Sequence, residues 1–359
     1  MYFDVLMPLI LFVVTVAAML LSQKAEAKLK ATVEGREFKN RDSALLVVMI
    51  AVAGSVVLFV PDLAILVLFL FSYCSLLFTV SYTFSDMKKK RVTLYVGIFI
   101  IASVVAGAAG FLGVLPAELR VYGTLAFAGL ASCAFFALIY THQQAQAKPR
   151  WYIAALAPIL FLLLFFFFSG TAVWFPYLLD VYGITFALLI VIYLSTLFNW
   201  KTVFIFAAFI TGLDIVLVWV TGTMVQAANA ISGLGLPVLV AFPTVPFIIG
   251  EGGILILRLG LGDFFFAGIL ATQTMKKFGR KTAVLSLLTI SISFALFELV
   301  LLNPEFAKAL PVQALPATLP ILLGWLPIIA VRLLMQRKQK TQPTVAKMAE
   351  TAPTPPAAK

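Results

Sequence analysis

One histidine and two cysteines in 359 residues leave little from which to build a metal or thiol centre. His142 follows the end of an apolar stretch, so a histidine-rich metal site is excluded. Cys74 and Cys133 sit separately inside apolar stretches, without a partner at metal-ligand spacing, and read as packing residues. Charge is equally scarce. Asp, Glu, Lys and Arg make up 11% of the chain against 62% hydrophobic residues, far too little to cover the surface of a soluble domain. The short alternating strands of a closed barrel are missing. So is any polar loop longer than about twenty residues, which excludes a soluble catalytic domain and puts any chemistry in or near the membrane.

What is there instead is a series of apolar runs, each long enough to cross a hydrocarbon core of roughly 30 Å as a helix. Phe alone supplies 33 residues, including the unbroken run 165–168. Polar punctuation divides the chain into eleven predicted spans: 5–21, 44–60, 63–82, 92–113, 121–141, 151–169, 181–198, 203–220, 254–274, 282–302 and 314–334. Merging one hairpin would leave nine. The expected fold is therefore an all-α polytopic bundle of 9 to 11 transmembrane helices, with 1–202 as a scaffold, 203–335 as the functional helices and 336–359 as a disordered cytoplasmic tail. The first span is not a secretory signal, because Asp4 precedes it and Lys24, Lys28 and Lys30 follow it, the reverse of a basic leader.

The formal charge of +11 does not indicate nucleic acid, since the basic residues lie in short runs between spans. Loops after odd-numbered spans carry Lys24 to Arg41, Lys88 to Arg91, Lys148 with Arg150, Lys201, and Lys276 to Lys281, and the tail adds Arg337, Lys338 and Lys340. Loops after even-numbered spans hold Asp62, Glu118 with Arg120, Asp180, Glu251, and Glu305 with Lys308. The positive-inside rule then places the N-terminus outside and the C-terminus in the cytoplasm, in a multi-pass protein expected in the cell membrane.

Ionisable groups within a span are costly, so they are usually paired, wetted by a cavity or used. Asp214 lies in FAAFITGLDIVLVWVTG and Asp263 in ILILRLGLGDFFFAGILATQT, the latter predicted near the middle of its span. Gly260 and Gly262 precede Asp263, and Gly212 precedes Asp214. Lacking Cβ atoms, these glycines are expected to let the two helices approach and leave room for water. Two carboxylates at short range do not both ionise readily, so the pair holds one proton between them. That state suits amide hydrolysis without metal or cofactor: one carboxylate takes a proton from water while the other donates to the scissile carbonyl oxygen. Either aspartate can hold either role. Arg258, five residues before Asp263, is off the same helical face. It snorkels, pairs with Glu251 or another acid, or reaches Asp263 if the GLG segment unwinds. Glu298 reads as a structural or cavity residue and Asp180 as an interface residue.

The string Gly260-Leu261-Gly262-Asp263 resembles the GxGD signature of the presenilin and signal peptide peptidase family of intramembrane aspartyl proteases. Its context strengthens the likeness. An acid occurs one span earlier, in LDIVLVWVTGTM, with Leu213 where the family has tyrosine; QALPATLP resembles the family's PALP region, with Gln313 in place of its first proline. Ala314, Leu315 and Pro316 match that region, and Pro316-Ala317-Thr318 is a second frame with threonine in place of leucine. The resemblance covers about 203–335 and implies a presenilin-like bundle with Asp214 and Asp263 as the catalytic pair. It also implies that Gly260, Gly262, Ala314, Leu315 and Pro316 line the substrate cleft. The substrates implied are transmembrane proteins or remnant signal peptides, and a cytoplasmic C-terminus resembles the signal peptide peptidase arrangement, which favours substrates with a cytoplasmic N-terminus.

Proline at the entry of the last span, Pro316 and Pro320, disrupts regular helix and frees backbone groups to pair with an unwound substrate by strand addition. The loop 221–252 is expected to supply the opposite wall, with LPVLVAF as a short strand. The competing reading is a proton- or sodium-coupled secondary transporter using the same aspartates as an ion site. It predicts a repeated architecture, and residues 1–180 contain no convincing counterpart of the Asp214/Asp263 region.

Overall fold

The computed structural model describes residues 2–32, 39–56, 62–85, 89–112, 150–223, 226–227, 231, 233–250, 253–303 and 316–350, with 128–129, 131–135, 137 and 139. The predicted span 121–141 thus lies largely outside the described residues. Ten helices are described: α1 (Leu6–Thr32), α2 (Asn40–Val56), α3 (Asp62–Phe84), α4 (Lys89–Phe111), α5 (Arg150–Phe168), α6 (Leu179–Leu194), α7 (Trp200–Ile215), α8 (Leu261–Phe278), α9 (Arg280–Leu302) and α10 (Thr318–Glu350). Two antiparallel pairs interrupt them between α7 and α8. β1 (Leu239–Pro243) pairs with β4 (Ile256–Gly260), and β2 (Ile249–Gly250) with β3 (Gly253–Ile254). β1 overlaps the second half of the apolar run LPVLVAF (236–242) predicted as a strand and extends it to Pro243.

Six helical stretches among the described residues are long and apolar enough to cross a membrane: Leu6–Glu26, Asp62–Phe84, Trp174–Leu194, Trp200–Val220, Arg280–Leu302 and Thr318–Arg337. The protein is a mostly helical, multi-pass membrane protein. Its outer helices expose side chains that water would not tolerate as a continuous patch, such as Leu63 at 71% and Phe71 at 72% on α3. Lipid is the solvent that fits them.

α8 is the central helix. It packs against α1, α6, α7, α9 and α10, and every residue from Phe264 to Met275 is buried. A helix surrounded by protein needs no lipid-facing stripe, which is why α8 tolerates Thr272, Gln273 and Thr274. Gln273 donates from Nε2 to the Ser195 and Phe198 carbonyls at 3.1 and 2.8 Å, satisfying orphan acceptors where α6 ends. Trp325 of α10 donates from Nε1 to Thr274 Oγ1 at 2.9 Å. Close approach falls at Gly268 and Gly324. A Cβ on Gly268 would lie 2.5 Å from Val191 Cγ2 of α6, and one on Gly324 would lie 2.6 Å from both Ile290 Cα and Thr289 O of α9.

Two expectations change. The predicted span 254–274 is not one helix: its first part is strand β4, and helix begins only at Leu261. Of the strand residues preceding Leu261, Ile256 is β-branched and Leu257 and Leu259 are apolar, and β1 offers them a ladder, so pairing wins over helix. At the other end, the tail from Gln336, expected to lack regular structure, continues α10 as far as Glu350. Its Ala, Lys, Gln and Glu residues have good helix propensity.

Candidate active site

α7 starts where Asn199 caps it. The Asn199 side chain accepts from the Lys201 and Thr202 amides at 3.0 Å each, and the Asn199 amide donates to Thr202 Oγ1 at 2.9 Å. From this fixed start Asp214 comes fourteen residues along the helix. The α-helix ends at Ile215, and Val216–Val220 continues as a wider π turn in which the Thr221 amide donates to the Val216 carbonyl at 3.0 Å. Such widened turns often mark functional positions.

α8 starts differently. Gly260 is extended (φ −70°, ψ 147°) and caps the helix without a side-chain bond. The first helical amide, Leu261, donates to the Val238 carbonyl at 3.1 Å, so the strand ladder satisfies it. Asp263 is the third helical residue, not a mid-span one, and a carboxylate in the first turn complements the orphan amides there. A Cβ at Gly260 would sit 3.2 Å from Asp263 Oδ2, so this glycine lets the carboxylate fold back over the strand end.

The two acids reach the same depth by opposite routes. Asp214 stands thirteen residues after Lys201 and Asp263 thirteen before Lys276, each about 20 Å of helix from a lysine. The lysine ends are held together, since Trp200 of α7 meets Phe278 of α8 edge-on at 5.2 Å and Lys277 lies over the Trp200 ring at 4.3 Å. At the other end Asp214, Asp263, Gly262 and Thr318 line one cavity of about 110 Å³, walled by Phe206, Phe265 and other apolar side chains. That volume is ample for water.

Thr318, the first residue of α10, holds one carboxylate of the pair. Its hydroxyl donates to Asp214 Oδ2 at 2.6 Å and its amide donates to the same oxygen at 3.3 Å. Asp214 therefore serves as an acceptor at the N-terminus of a neighbouring helix, where the orphan amides favour a carboxylate. Thr318 occupies the threonine of the second PAL-like frame, but its contact with Asp214 was not evident from sequence. Of the other predicted cleft residues, Pro316 is buried just before α10, while Ala314 and Leu315 lie outside the described residues. Gly262 lines the cavity with open space where a Cβ would be. Gly212 does not mediate an approach between the helices. It is exposed and, among the described residues, nothing lies within 4 Å of its Cβ position, because its face of α7 turns away from α8.

Among the described residues, the β4 edge of the hairpin pairs with no further strand. Asp180 of α6 is buried, and its Oδ1 accepts the Ala241 amide of β1 at 2.7 Å. Because that amide points away from β4, Ala241 and Arg258 form a non-hydrogen-bonded pair. The main-chain groups of Ile256, Arg258 and Gly260 consequently face outward from the ladder, and the Gly260 amide is turned to the Asp263 carboxylate. Asp4 steadies the far loop. Its carboxylate accepts from the Met7 amide at 2.8 Å and the Val245 amide at 2.7 Å. Glu298, read from sequence as structural or cavity-lining, is buried on α9, and its Oε2 has no hydrogen-bond partner among the described residues. Arg258 is exposed and lines a different cavity from the aspartates.

In comparison with known proteins, no family model matches the chain, and no curated protein matches it.

Proposed function

We propose that this protein is an intramembrane aspartyl endopeptidase, hydrolysing peptide bonds within or near transmembrane segments of membrane proteins or remnant signal peptides. The observation that carries the reading is that Asp214 and Asp263, from different helices, line one small cavity with room for water. In the proposed reaction, one carboxylate takes a proton from water as its oxygen attacks the scissile carbonyl carbon, and the other gives its proton to the carbonyl oxygen. The tetrahedral diol then collapses. Its C–N bond breaks as the nitrogen is protonated, leaving a carboxylic acid and an amine and returning one shared proton to the pair.

A transmembrane helix hides its amides in internal bonds, so a substrate has to unwind before water can attack. The outward main chain of Ile256 and Arg258 offers an unwound segment new partners by strand addition, just before Gly260, whose amide already serves the Asp263 carboxylate. The resemblance of the GLGD segment and its surroundings to the presenilin and signal peptide peptidase family supports the same reading, including a bundle of nine to eleven spans. Loop charges support a cytoplasmic C-terminus in the cell membrane.

The Thr318 contact gives a graded test. Thr318→Val removes the hydroxyl donor while keeping the shape, and is expected to lower kcat for a labelled single-span substrate about tenfold, the effect of losing one charge-assisted hydrogen bond. Thr318→Ser restores the donor and is expected to stay within about threefold of wild type. Equal rates in Thr318→Val and wild type would remove Thr318 from the site.

A further inference from the structure

The second cavity, about 480 Å³, lies beside the hairpin and takes no part in the chemistry above. Its walls come from three directions: Ser169, Gly170 and Trp174 at the entry to α6, the turn at 233–236, and the Leu239, Ala241 and Arg258 side chains of the hairpin. The ladder register puts those last three on one face, since Ala241 opposes Arg258 and Leu239 opposes Gly260. Ala241 is small, so β1 leaves the arginine stem uncovered. The far wall is fixed, because the Trp174 indole donates to the Gly235 carbonyl at 2.7 Å and Gly235 takes the turn at φ 63°.

Among the described residues lining this cavity, Arg258 is the one that carries charge and none is an acid. Among the described residues, Arg258 makes no ion pair. An arginine on the wall of a half-enclosed space suits an anion, which a guanidinium binds best as a planar, bidentate partner. The same residue presents its main-chain N–H and C=O at the free edge of β4. An extended peptide added to that edge therefore passes with a side chain next to the guanidinium.

We infer that this cavity is a specificity subsite for an acidic side chain, Asp or Glu, on the peptide segment lying along β4, with Arg258 as the residue that recognises it. The inference rests on the proteolytic reading and names its substrate class: membrane peptides bearing a carboxylate a few residues from the cleaved bond. The spacing follows from the strand, since Arg258 precedes Gly260 by two residues, about 7 Å of extended chain, and the aspartate cavity begins just beyond. A peptide fits the site better than a lipid phosphate because the open edge that ends here is main chain, which pairs with main chain.

The test uses the full chain in zwitterionic detergent and a set of single-span substrates in which Glu, Gln or Lys is moved through the six positions on the β4 side of the cleaved bond. At one or two adjacent positions wild type is expected to prefer Glu over Gln roughly tenfold in kcat/KM, a difference of one pairing interaction. Arg258→Met is expected to bring that ratio close to one, and Arg258→Glu to reverse it in favour of Lys. The ratio between matched substrates is the readout, so a general loss of rate in either variant does not obscure it. An unchanged Glu preference in Arg258→Glu overturns the proposal. So does a preference seen only for a free C-terminal carboxylate over its amide, or one abolished by phosphatidylglycerol vesicles but not by phosphatidylcholine vesicles, which would hand the site to a chain end or to a lipid phosphate. Cleavage by wild type with no charge preference overturns this proposal alone; no cleavage of any substrate overturns the proteolytic reading and this with it.

Discussion

Asp214→Asn and Asp263→Asn are each expected to abolish cleavage of a labelled single-span substrate in detergent, a loss of at least about a hundredfold, because each removes a group that moves a proton in the reaction. The substitution is nearly isosteric, so the cavity keeps its shape. At position 214 the asparagine carbonyl still accepts from Thr318, so the contact that orients the side chain survives in part. Thermal midpoints are therefore expected to stay within a few degrees of wild type, which separates lost chemistry from lost folding. If both variants cut at the wild-type rate, the protein is not an aspartyl protease. Solute uptake into proteoliposomes that vanishes with the same two substitutions would instead favour an ion-coupled carrier, in which midplane carboxylates bind the ion.

Gly324→Ala is expected to have the largest effect on stability, lowering it by about 1–3 kcal/mol, as overpacking does in a filled interior. The new Cβ would lie 2.6 Å from Ile290 Cα and from Thr289 O, and both are main-chain atoms of α9 that no rotamer change can move. α10 has to shift as a body. The adjacent Trp325 is fully buried with its indole bonded to Thr274 of α8, so the shift is opposed there. The start of α10 carries Thr318, so activity is expected to fall with stability. Gly212→Ala is the matched control. It lies two residues from Asp214, but no described residue stands within 4 Å of its Cβ position, and alanine favours helix over glycine by roughly 0.5–1 kcal/mol. Its thermal midpoint, followed by tryptophan fluorescence in detergent, is expected to equal or exceed that of wild type. Equal midpoints for both variants would contradict the packing described for α9 and α10.

The difference between these two glycines shows where sequence reading stops. Glycine near an acid suggested close helix approach at both aspartates, yet Gly212 faces away from α8, while Gly268 and Gly324, which sequence did not single out, form the closest contacts. Which face of a helix a residue occupies follows from packing partners, and near-uniformly apolar helices leave that open. Hydropathy pointed to apolar membrane helices, six of which are long enough to cross among the described residues, and for the same reason it missed the hairpin. In 254–274 an apolar run reads as a span whether it pairs as a strand or coils as a helix, and only β1, more than ten residues upstream, decides the matter.

The aspartates were legible because an ionisable group amid long apolar flanks is conspicuous. Their common depth was also implicit, in the equal spacing from Lys201 and Lys276. The supporting residues were not. Asp180 looked like an interface residue because its bonding partner, the Ala241 amide, is sixty-one positions away. Thr318 looked like a departure from the PAL-like pattern, yet its hydroxyl is the donor that Asp214 uses.

Crosslinking tests most directly whether the two carboxylates face one gap. With Cys74→Ala and Cys133→Ala removing the native thiols, Asp214→Cys combined with Asp263→Cys is treated in membranes with a bis-thiosulfonate of short span, and the bridge is read by mass spectrometry after cleavage of the chain between α7 and α8. Efficient bridging, absent when Gly212→Cys replaces the change at position 214, is the result expected from side chains that line one cavity of about 110 Å³. Bridging no better than in that control would mean the two side chains point apart, and no shared water could then serve them both.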